Sequence, residues 1–114
     1  MDSNKFYSTQ KIIKEIKEGK ICIIVDSKGD ETEGVLFMAA EKVSHDSLNF
    51  FINKGKGLIY MPCEEKRLED LKIPLMIDHL PGRKITGSSF ALSINAATNK
   101  GTGISIKEKL NTIK

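Results

Sequence analysis

Residues 19–41 read GKICIIVDSKGDETEGVLFMAAE, and this stretch decides the expected fold. A β-branched apolar run at 21–25 ends at Asp26, and a second apolar run at 35–40 follows Gly34. Runs of this length and composition predict two strands joined by a loop. The first run is continuously apolar, which is typical of a strand that is covered on both faces.

The loop between these two strands is acidic. Its carboxylates are Asp26, Asp30, Glu31 and Glu33, and its one base is Lys28. Carboxylate oxygens beside buried strands favour a hard cation or a basic ligand. Hairpin loops are also commonly polar for solvation alone, so the spacing leaves both interpretations open.

The rest of the chain predicts alternating helices and strands. The expected elements are helices at 8–18, 44–54 and 64–71, strands at 35–38, 58–61 and 88–95, and a last helix from residue 105. Ser44 is a candidate N-cap, Gly19 ends the first helix, and Ser105 with Glu108 has the spacing of a capping box. This alternation predicts an α/β or α+β fold packed in layers.

Composition excludes several classes of function. The chain has 114 residues, 39% of them hydrophobic and 29% charged, which suits one globular domain. A dispersed net charge of +3 with few aromatic residues argues against nucleic acid. No apolar run approaches the ~20 residues that span a bilayer, and the N-terminus does not resemble a signal peptide.

The cysteines and histidines offer no separate chemistry. Cys22 and Cys63 lack the spacing of a disulfide framework and fit structural thiols in the reducing cytoplasm. His45 lies beside a helix cap and His79 beside a Pro-Gly turn, so we expect both to be exposed rather than ligands or catalytic groups.

Several motifs, in their order along the chain, resemble 3,4-dihydroxy-2-butanone 4-phosphate synthase. This riboflavin-pathway enzyme converts ribulose 5-phosphate into a four-carbon phosphate and formate. The matching motifs are EG-x-L-x-MAAE at 33–41, GLI at 57–59 and TGIS at 102–105. Each motif alone is a weak signal, but their common order is specific, and the resemblance covers nearly the whole chain.

The resemblance implies a three-layer α-β-α sandwich and a homodimer with active sites at the subunit interface. It also implies a magnesium requirement, since a hard cation stabilises the charge of an enediolate. Glu31 matches the family's metal-binding carboxylate. Glu33 matches the second acidic residue of that loop, for which we expect a catalytic role.

The resemblance also implies a substrate-binding loop late in the chain. Thr102, Gly103 and Ser105 match the loop that opens the last helix, where free N–H groups hold a phosphate or a sugar hydroxyl. Lys109 stands where the family carries the Arg of an Asp-Arg pair, and it completes the expected substrate-binding set.

This chain departs from the family pattern at several of these positions. Asp30 stands where the family has Arg, Val35 where it has Asp, Tyr60 where it has Cys and Gly101 where it has Thr. Family members are also longer, and their Gly-His-Thr-Glu segment, whose His completes the metal site, does not occur within these residues. We therefore expect residues 1–114 to form a single, incomplete domain with very little activity as an isolated chain.

Three hypotheses follow. The chain is a divergent synthase whose missing groups come from a second polypeptide or from a further C-terminal part, with a sugar phosphate as its ligand. Alternatively, it is a non-catalytic binding or scaffold relative that keeps the fold and the dimer surface. The third is a generic small α/β module with an unknown partner. No hypothesis invokes nucleic acid or a membrane.

Overall fold

The structure, a computed structural model, describes residues 6–26, 33–76 and 90–114. These ranges contain one two-stranded sheet and four α-helices. The elements are α1 (Thr9–Lys17), β1 (Cys22–Asp26), β2 (Glu33–Phe37), α2 (His45–Phe50), α3 (Glu65–Asp70) and α4 (Ile106–Ile113). The expected α+β class is confirmed. None of the helices in these ranges is both long and apolar enough to cross a bilayer.

Helix α1 has the two ends that its sequence predicts. The Ser8 hydroxyl accepts a hydrogen bond from the Lys11 backbone N–H at 3.3 Å. At the other end Gly19, with φ of +80°, donates to Ile16 O at 2.9 Å. Lys20 N–H donates to Glu15 O at 3.0 Å, which completes a Schellman motif. The predicted helix at 8–18 is therefore confirmed.

Strands β1 and β2 form the predicted antiparallel hairpin, with Ile24 opposite Val35 and Asp26 opposite Glu33. The expectation that β1 is covered on both faces is wrong. Ile23 is 61% exposed and Ile24 is 56% exposed, and successive side chains in a strand lie on opposite faces. The described sheet has only two strands, so it leaves apolar surface uncovered on both sides.

Helix α2 supplies the centre of the small core. Ser44 and Ser47 form a reciprocal capping box, with backbone-to-hydroxyl distances of 2.8 and 3.2 Å. Leu48 is only 2% exposed, and Cys22 and Val43 are the other buried hydrophobic residues of the described ranges. The helix predicted at 44–54 is α-helical only to residue 50 and continues as a π-helical turn at Phe51–Gly55.

The described residues do not form two of the predicted strands. Residues 58–61 have no regular secondary structure, and Tyr60 packs edge-to-face on Phe90 with ring centroids 5.6 Å apart. Residues 88 and 89 lie outside the described ranges, and 90–95 make one isolated bridge, between Ala91 and Leu75. Alternating side chains favour a strand there, but a strand also needs a neighbour to accept its hydrogen bonds.

Helices α3 and α4 both lie where the sequence predicts helices. Helix α3 occupies the middle of the range 64–71, and no side-chain cap precedes it. Helix α4 begins after Ser105, whose hydroxyl accepts from the Glu108 backbone N–H at 3.2 Å. Helix α4 packs against α2, and this contact places the loop at 101–105, which precedes α4, near the core.

Candidate active site

The expected site residues fall in two places, the open end of the β1–β2 hairpin and the loop before α4. Glu31, the expected metal ligand, lies outside the described residues. Glu33 is the first residue of β2, is exposed, and lies directly opposite Asp26. Opposite residues of an antiparallel pair share a face, so this end of the hairpin carries two adjacent carboxylates.

The Asp26–Glu33 pair is electrostatically unfavourable by itself, because like charges directly opposite in a sheet destabilise it. A cation between the carboxylates would remove that cost. Within the described ranges, however, no three His, Cys, Asp or Glu side chains come together as a metal site. Two carboxylates are too few for magnesium, which prefers octahedral coordination by oxygen. The described residues alone therefore do not form the metal site that the resemblance implies.

The loop at 101–105 is organised around the Glu108 carboxylate. Gly101 N–H donates to Oε1 at 2.7 Å, and Gly103 N–H donates to Oε2 at 3.2 Å. The Ser105 hydroxyl also donates to Oε2, at 3.0 Å. The N–H group of Gly103, one of the expected substrate-binding residues, and that of the neighbouring Gly101 therefore both bind a side chain of the same chain.

These hydrogen bonds favour the ionised form of Glu108. Partial desolvation raises the pKa of this carboxyl, but the Ser105 hydroxyl and the backbone groups of Gly101, Gly103 and Ser105 lower it by more in sum. The net result is a pKa of Glu108 below its ordinary value. The loop thus encloses a negative charge at neutral pH.

A network of asparagines holds the same loop from the other side. Asn95 Nδ2 donates to Gly101 O at 3.2 Å, and Asn99 Nδ2 donates to Asn95 Oδ1 at 2.6 Å. Asn99 also donates to Glu108 O at 3.1 Å and accepts from Asn111 Nδ2 at 2.7 Å. These bonds join the segment 95–101 to α4 and fix the position of the loop on the helix.

The remaining expected site residues differ in whether their side chains are free to bind a ligand. The Ser105 hydroxyl is engaged with Glu108 both as donor and as acceptor. Thr102 is exposed, and its hydroxyl takes part in none of the hydrogen bonds found in the described part of the chain. Lys109, the fourth residue of α4, is half-buried and forms no ion pair within the described ranges. Thr102 and Lys109 are thus the side chains of this set that stay available to a ligand.

The two places are linked through the body of the protein. Helix α4 packs on α2, and the π-helical turn after α2 contacts β2. At the end of the chain, Lys114 Nζ donates to Glu41 O at 3.1 Å, which joins the end of α4 to the MAAE segment after β2. Among the described residues, no hydrogen bond or ion pair joins Glu33 to the loop at 101–105.

Sequence reasoning missed the wider role of Glu108 and the role of the asparagines. The spacing from Ser105 to Glu108 predicts a capping box, but not that the carboxylate also binds Gly101 and Gly103. The one available signal was the presence of three asparagines, at 95, 99 and 111, flanking and following a glycine-containing turn. Their pairing requires the tertiary contact between the loop and α4.

Comparison with known proteins gives consistent matches. The sequence profile described as 3,4-dihydroxy-2-butanone 4-phosphate synthase matches residues 10–114. The synthase of that name from Pseudomonas aeruginosa is 37% identical over 103 residues, which is 90% of this chain and 28% of the relative. The riboflavin biosynthesis protein RibBA of Endomicrobium trichonymphae is 36% identical over 114 residues, which is 100% of this chain and 28% of that protein.

A solved structure agrees with these relatives. RibBX of A. baumannii, described as a two-domain 3,4-dihydroxy-2-butanone 4-phosphate synthase, superposes with a TM-score of 0.77 at 34% identity. The match covers 94% of this chain and 31% of that one. The chain therefore spans less than a third of the length of each of these three proteins.

Proposed function

Because this chain belongs to the 3,4-dihydroxy-2-butanone 4-phosphate synthase family, we propose that it is a synthase-like protein of riboflavin biosynthesis, with ribulose 5-phosphate as its ligand. The observation that carries this proposal is the profile match over residues 10–114, which includes both the hairpin and the loop before α4. In the family reaction, ribulose 5-phosphate gives dihydroxybutanone phosphate and formate. We also propose that residues 1–114 act as one domain, with the layered α-β-α arrangement of the family.

We assign the roles in this site by position. Glu33 is the proposed proton-transfer residue, and Thr102 and Lys109 are the proposed substrate contacts, with Gly103 and Ser105 shaping the loop. Glu31 would hold magnesium, with its remaining oxygen ligands from water and the substrate, and the bound ion would stabilise an enediolate. The adjacent carboxylates of Asp26 and Glu33 support a cation at this end of the hairpin.

We propose that the isolated chain turns over very slowly. Asp30 places a negative charge where the family has Arg, and like charge against a phosphorylated ketose costs about 1–4 kcal/mol per close contact. Val35 replaces a candidate acid with a hydrocarbon side chain that is 46% exposed and transfers no proton. Loss of such a group typically lowers a rate by about 10²- to 10⁴-fold.

The test is magnesium-dependent formate release from ribulose 5-phosphate by the purified chain. We expect a rate at least about 10²-fold below that of a full-length family member, because Asp30 repels the phosphorylated substrate and Val35 removes a proton-transfer group. Restoring the family residues with Asp30→Arg and Val35→Asp should raise the rate, and Leu58→Asp, at an exposed position outside the site, serves as the matched control. A full-rate wild-type chain would contradict the proposal, as would a double variant no faster than the control.

A non-catalytic scaffold is the second candidate, and one observation favours it. Tyr60, which replaces the family's Cys, packs edge-to-face on Phe90 at 5.6 Å and so serves packing rather than chemistry. Calorimetric titration separates the candidates. Binding of ribulose 5-phosphate supports the synthase-like function, whereas a chain that folds but binds neither magnesium nor sugar phosphate supports the scaffold.

We propose a homodimer as the working assembly, with the uncovered hairpin in the interface. Apolar side chains on both faces of β1 are exposed, Ile23 at 61% and Ile24 at 56%, and a face of this kind is typical of a surface that a second chain covers. Sedimentation should therefore show a dimer that Ile24→Lys dissociates and Leu58→Lys does not. A monomer that dimerises only with a second polypeptide would contradict a homodimer and favour completion by that polypeptide.

The compartment we propose is the cytoplasm. Cys22 is buried and Cys63 is exposed, and both are free thiols. Free thiols persist in reducing compartments, where small-molecule biosynthesis also takes place.

A further inference from the structure

The loop at 101–105 closes around a carboxylate of the chain itself. Its two backbone donors, Gly101 and Gly103 N–H, reach the two oxygens of Glu108 at 2.7 and 3.2 Å. Backbone N–H groups before a helix are the usual donors to a phosphate. Here both donors already have a charged acceptor, and hydrogen bonds to a charged group are the stronger class.

The loop is held at its carbonyl side as well. Asn95 Nδ2 donates to Gly101 O at 3.2 Å, so both polar backbone groups of Gly101 are bound by side chains. Gly103 has φ of +81°, and a Cβ there would lie 2.8 Å from Asn95 Oδ1. The loop therefore fits closely between Asn95 on one side and Glu108 on the other.

We infer that Glu108 is the positioning residue of this loop: its carboxylate orders residues 101–105 and occupies the N–H groups that would otherwise bind a phosphate. The lowered pKa of Glu108 supports an ionised carboxylate at neutral pH. A phosphate approaching the same donors meets like charge and displaces a bonded acceptor. The loop then offers a ligand the neutral hydroxyl of Thr102, while the phosphate of the substrate binds elsewhere.

The ligand part of this inference rests on the proposed function, because it assumes that the loop lines the sugar-phosphate site. The structural part does not, since it concerns only the hydrogen bonds of Gly101 and Gly103 with Glu108. The test therefore reads these two amides directly and needs no turnover, so that a chain without synthase activity leaves its result unaffected.

The experiment is amide NMR on the full 114-residue chain, wild type and Glu108→Ala. In the variant, Gly101 and Gly103 amides should exchange with solvent about tenfold faster and shift upfield, because each loses a charged acceptor. Glu108→Gln retains one acceptor oxygen and should keep only one of the two amides protected. Glu65→Ala, in the first turn of α3, is the matched control and should leave both amides unchanged.

Inorganic phosphate is the probe for the second half of the inference. Added to wild type, it should not move the Gly101 or Gly103 resonances, and added to Glu108→Ala it should shift both. Faster exchange with no response to phosphate in the variant overturns the role of Glu108 in excluding phosphate. A phosphate response in wild type, or unchanged exchange in the variant, overturns the inference as a whole. If Glu108→Ala does not fold, as α1 and β1 resonances will show, Glu108→Gln carries the same test.

Discussion

At the scale of single residues, the loop before α4 depends on the backbone of one glycine. Gly103 has φ of +81°, a conformation that costs other residues roughly 1–2 kcal/mol. It also lies against the side chain of Asn95. Gly57, by contrast, has no positive φ, and a Cβ there would meet nothing closer than 4.0 Å.

We predict that Gly103→Ala lowers the free energy of unfolding by about 1–3 kcal/mol, from backbone strain together with the contact with Asn95. Gly57→Ala should change it by less than about 0.5 kcal/mol. Urea denaturation monitored by far-UV circular dichroism measures both. In the Asn95→Ala background, Gly103→Ala should lower the free energy of unfolding by a smaller amount that is still above zero, because the backbone strain of a positive φ at residue 103 remains. Equal effects at the two glycines would refute the conformational argument.

At this scale the sequence predicted local hydrogen bonds better than roles that depend on tertiary structure. Ser44 and Ser105 cap helices as expected, because capping depends on neighbours three residues away. The role of Glu108 required knowledge of where Gly101 lies, which is a tertiary property. The roles of Glu33, Thr102, Gly103, Ser105 and Lys109 in catalysis and binding stay predictions.

At the scale of elements, the end of α1 shows how charge reinforces a helix stop. Lys20 Nζ lies 2.7 Å from Glu15 Oε2 and 3.0 Å from Glu18 Oε2. The hydrogen bond from Lys20 lowers the pKa of Glu15 against a smaller opposing effect of desolvation. The hydrogen bonds from Glu15 and Glu18 raise the pKa of Lys20.

These shifts fix the sign of the pH dependence. The Glu15 contribution to stability is present above the carboxyl's unfolded-state pKa and is lost as pH falls through its lowered folded value. The Lys20 contribution is present below the ammonium's unfolded-state pKa and is lost as pH rises through its raised folded value. The pair therefore stabilises the end of α1 across the neutral range.

We predict that Lys20→Met raises the pKa of Glu15 toward its ordinary value, because the variant removes the main group that lowers it. Titration of the Glu15 side-chain carboxyl by carbon NMR measures this shift. Lys17→Met, also near the end of α1, is the control and should leave the pKa of Glu15 closer to its wild-type value. A Glu15 pKa that is unchanged in Lys20→Met would show that the ion pair does not form in solution.

Local patterns identified the helices and the hairpin because these elements are closed by contacts near in sequence. Residues 58–61 and 90–95 do not form the predicted strands for the complementary reason, since a strand depends on a neighbour that the described part of the fold does not supply. Periodicity alone does not reveal such a dependence. The uncovered faces of β1 have the same origin.

At the scale of the whole molecule, very few residues form the core. Cys22, Val43 and Leu48 are the buried hydrophobic residues of the described ranges, and Leu48 alone is almost fully enclosed. Many large apolar side chains remain exposed, Leu58 most of all at 77%. Among the described residues, truncation of Leu48 should therefore cause the largest loss of stability.

We predict that Leu48→Ala lowers the free energy of unfolding by about 2–5 kcal/mol, through lost burial and a new cavity. Since small domains have about 5–15 kcal/mol in total, this change is large for a chain with so small a core. Leu58→Ala should cost less than about 0.5 kcal/mol. Thermal or urea unfolding distinguishes them. If Leu48→Ala and Leu58→Ala lowered the free energy of unfolding by similar amounts, Leu58 would be buried in solution, as in an assembly.

The facing acids at the end of the hairpin have a consequence for the association of the chain with copies of itself. A ribbon of two apolar strands with open edges is a template for further ribbons, and stacks of such ribbons grow into fibrils. In a stack, every added layer would bring Asp26 and Glu33 closer to identical charges on the layers beside it. The repulsion that weakens one hairpin thus accumulates with each added layer, and these two acids act as gatekeepers against polymerisation.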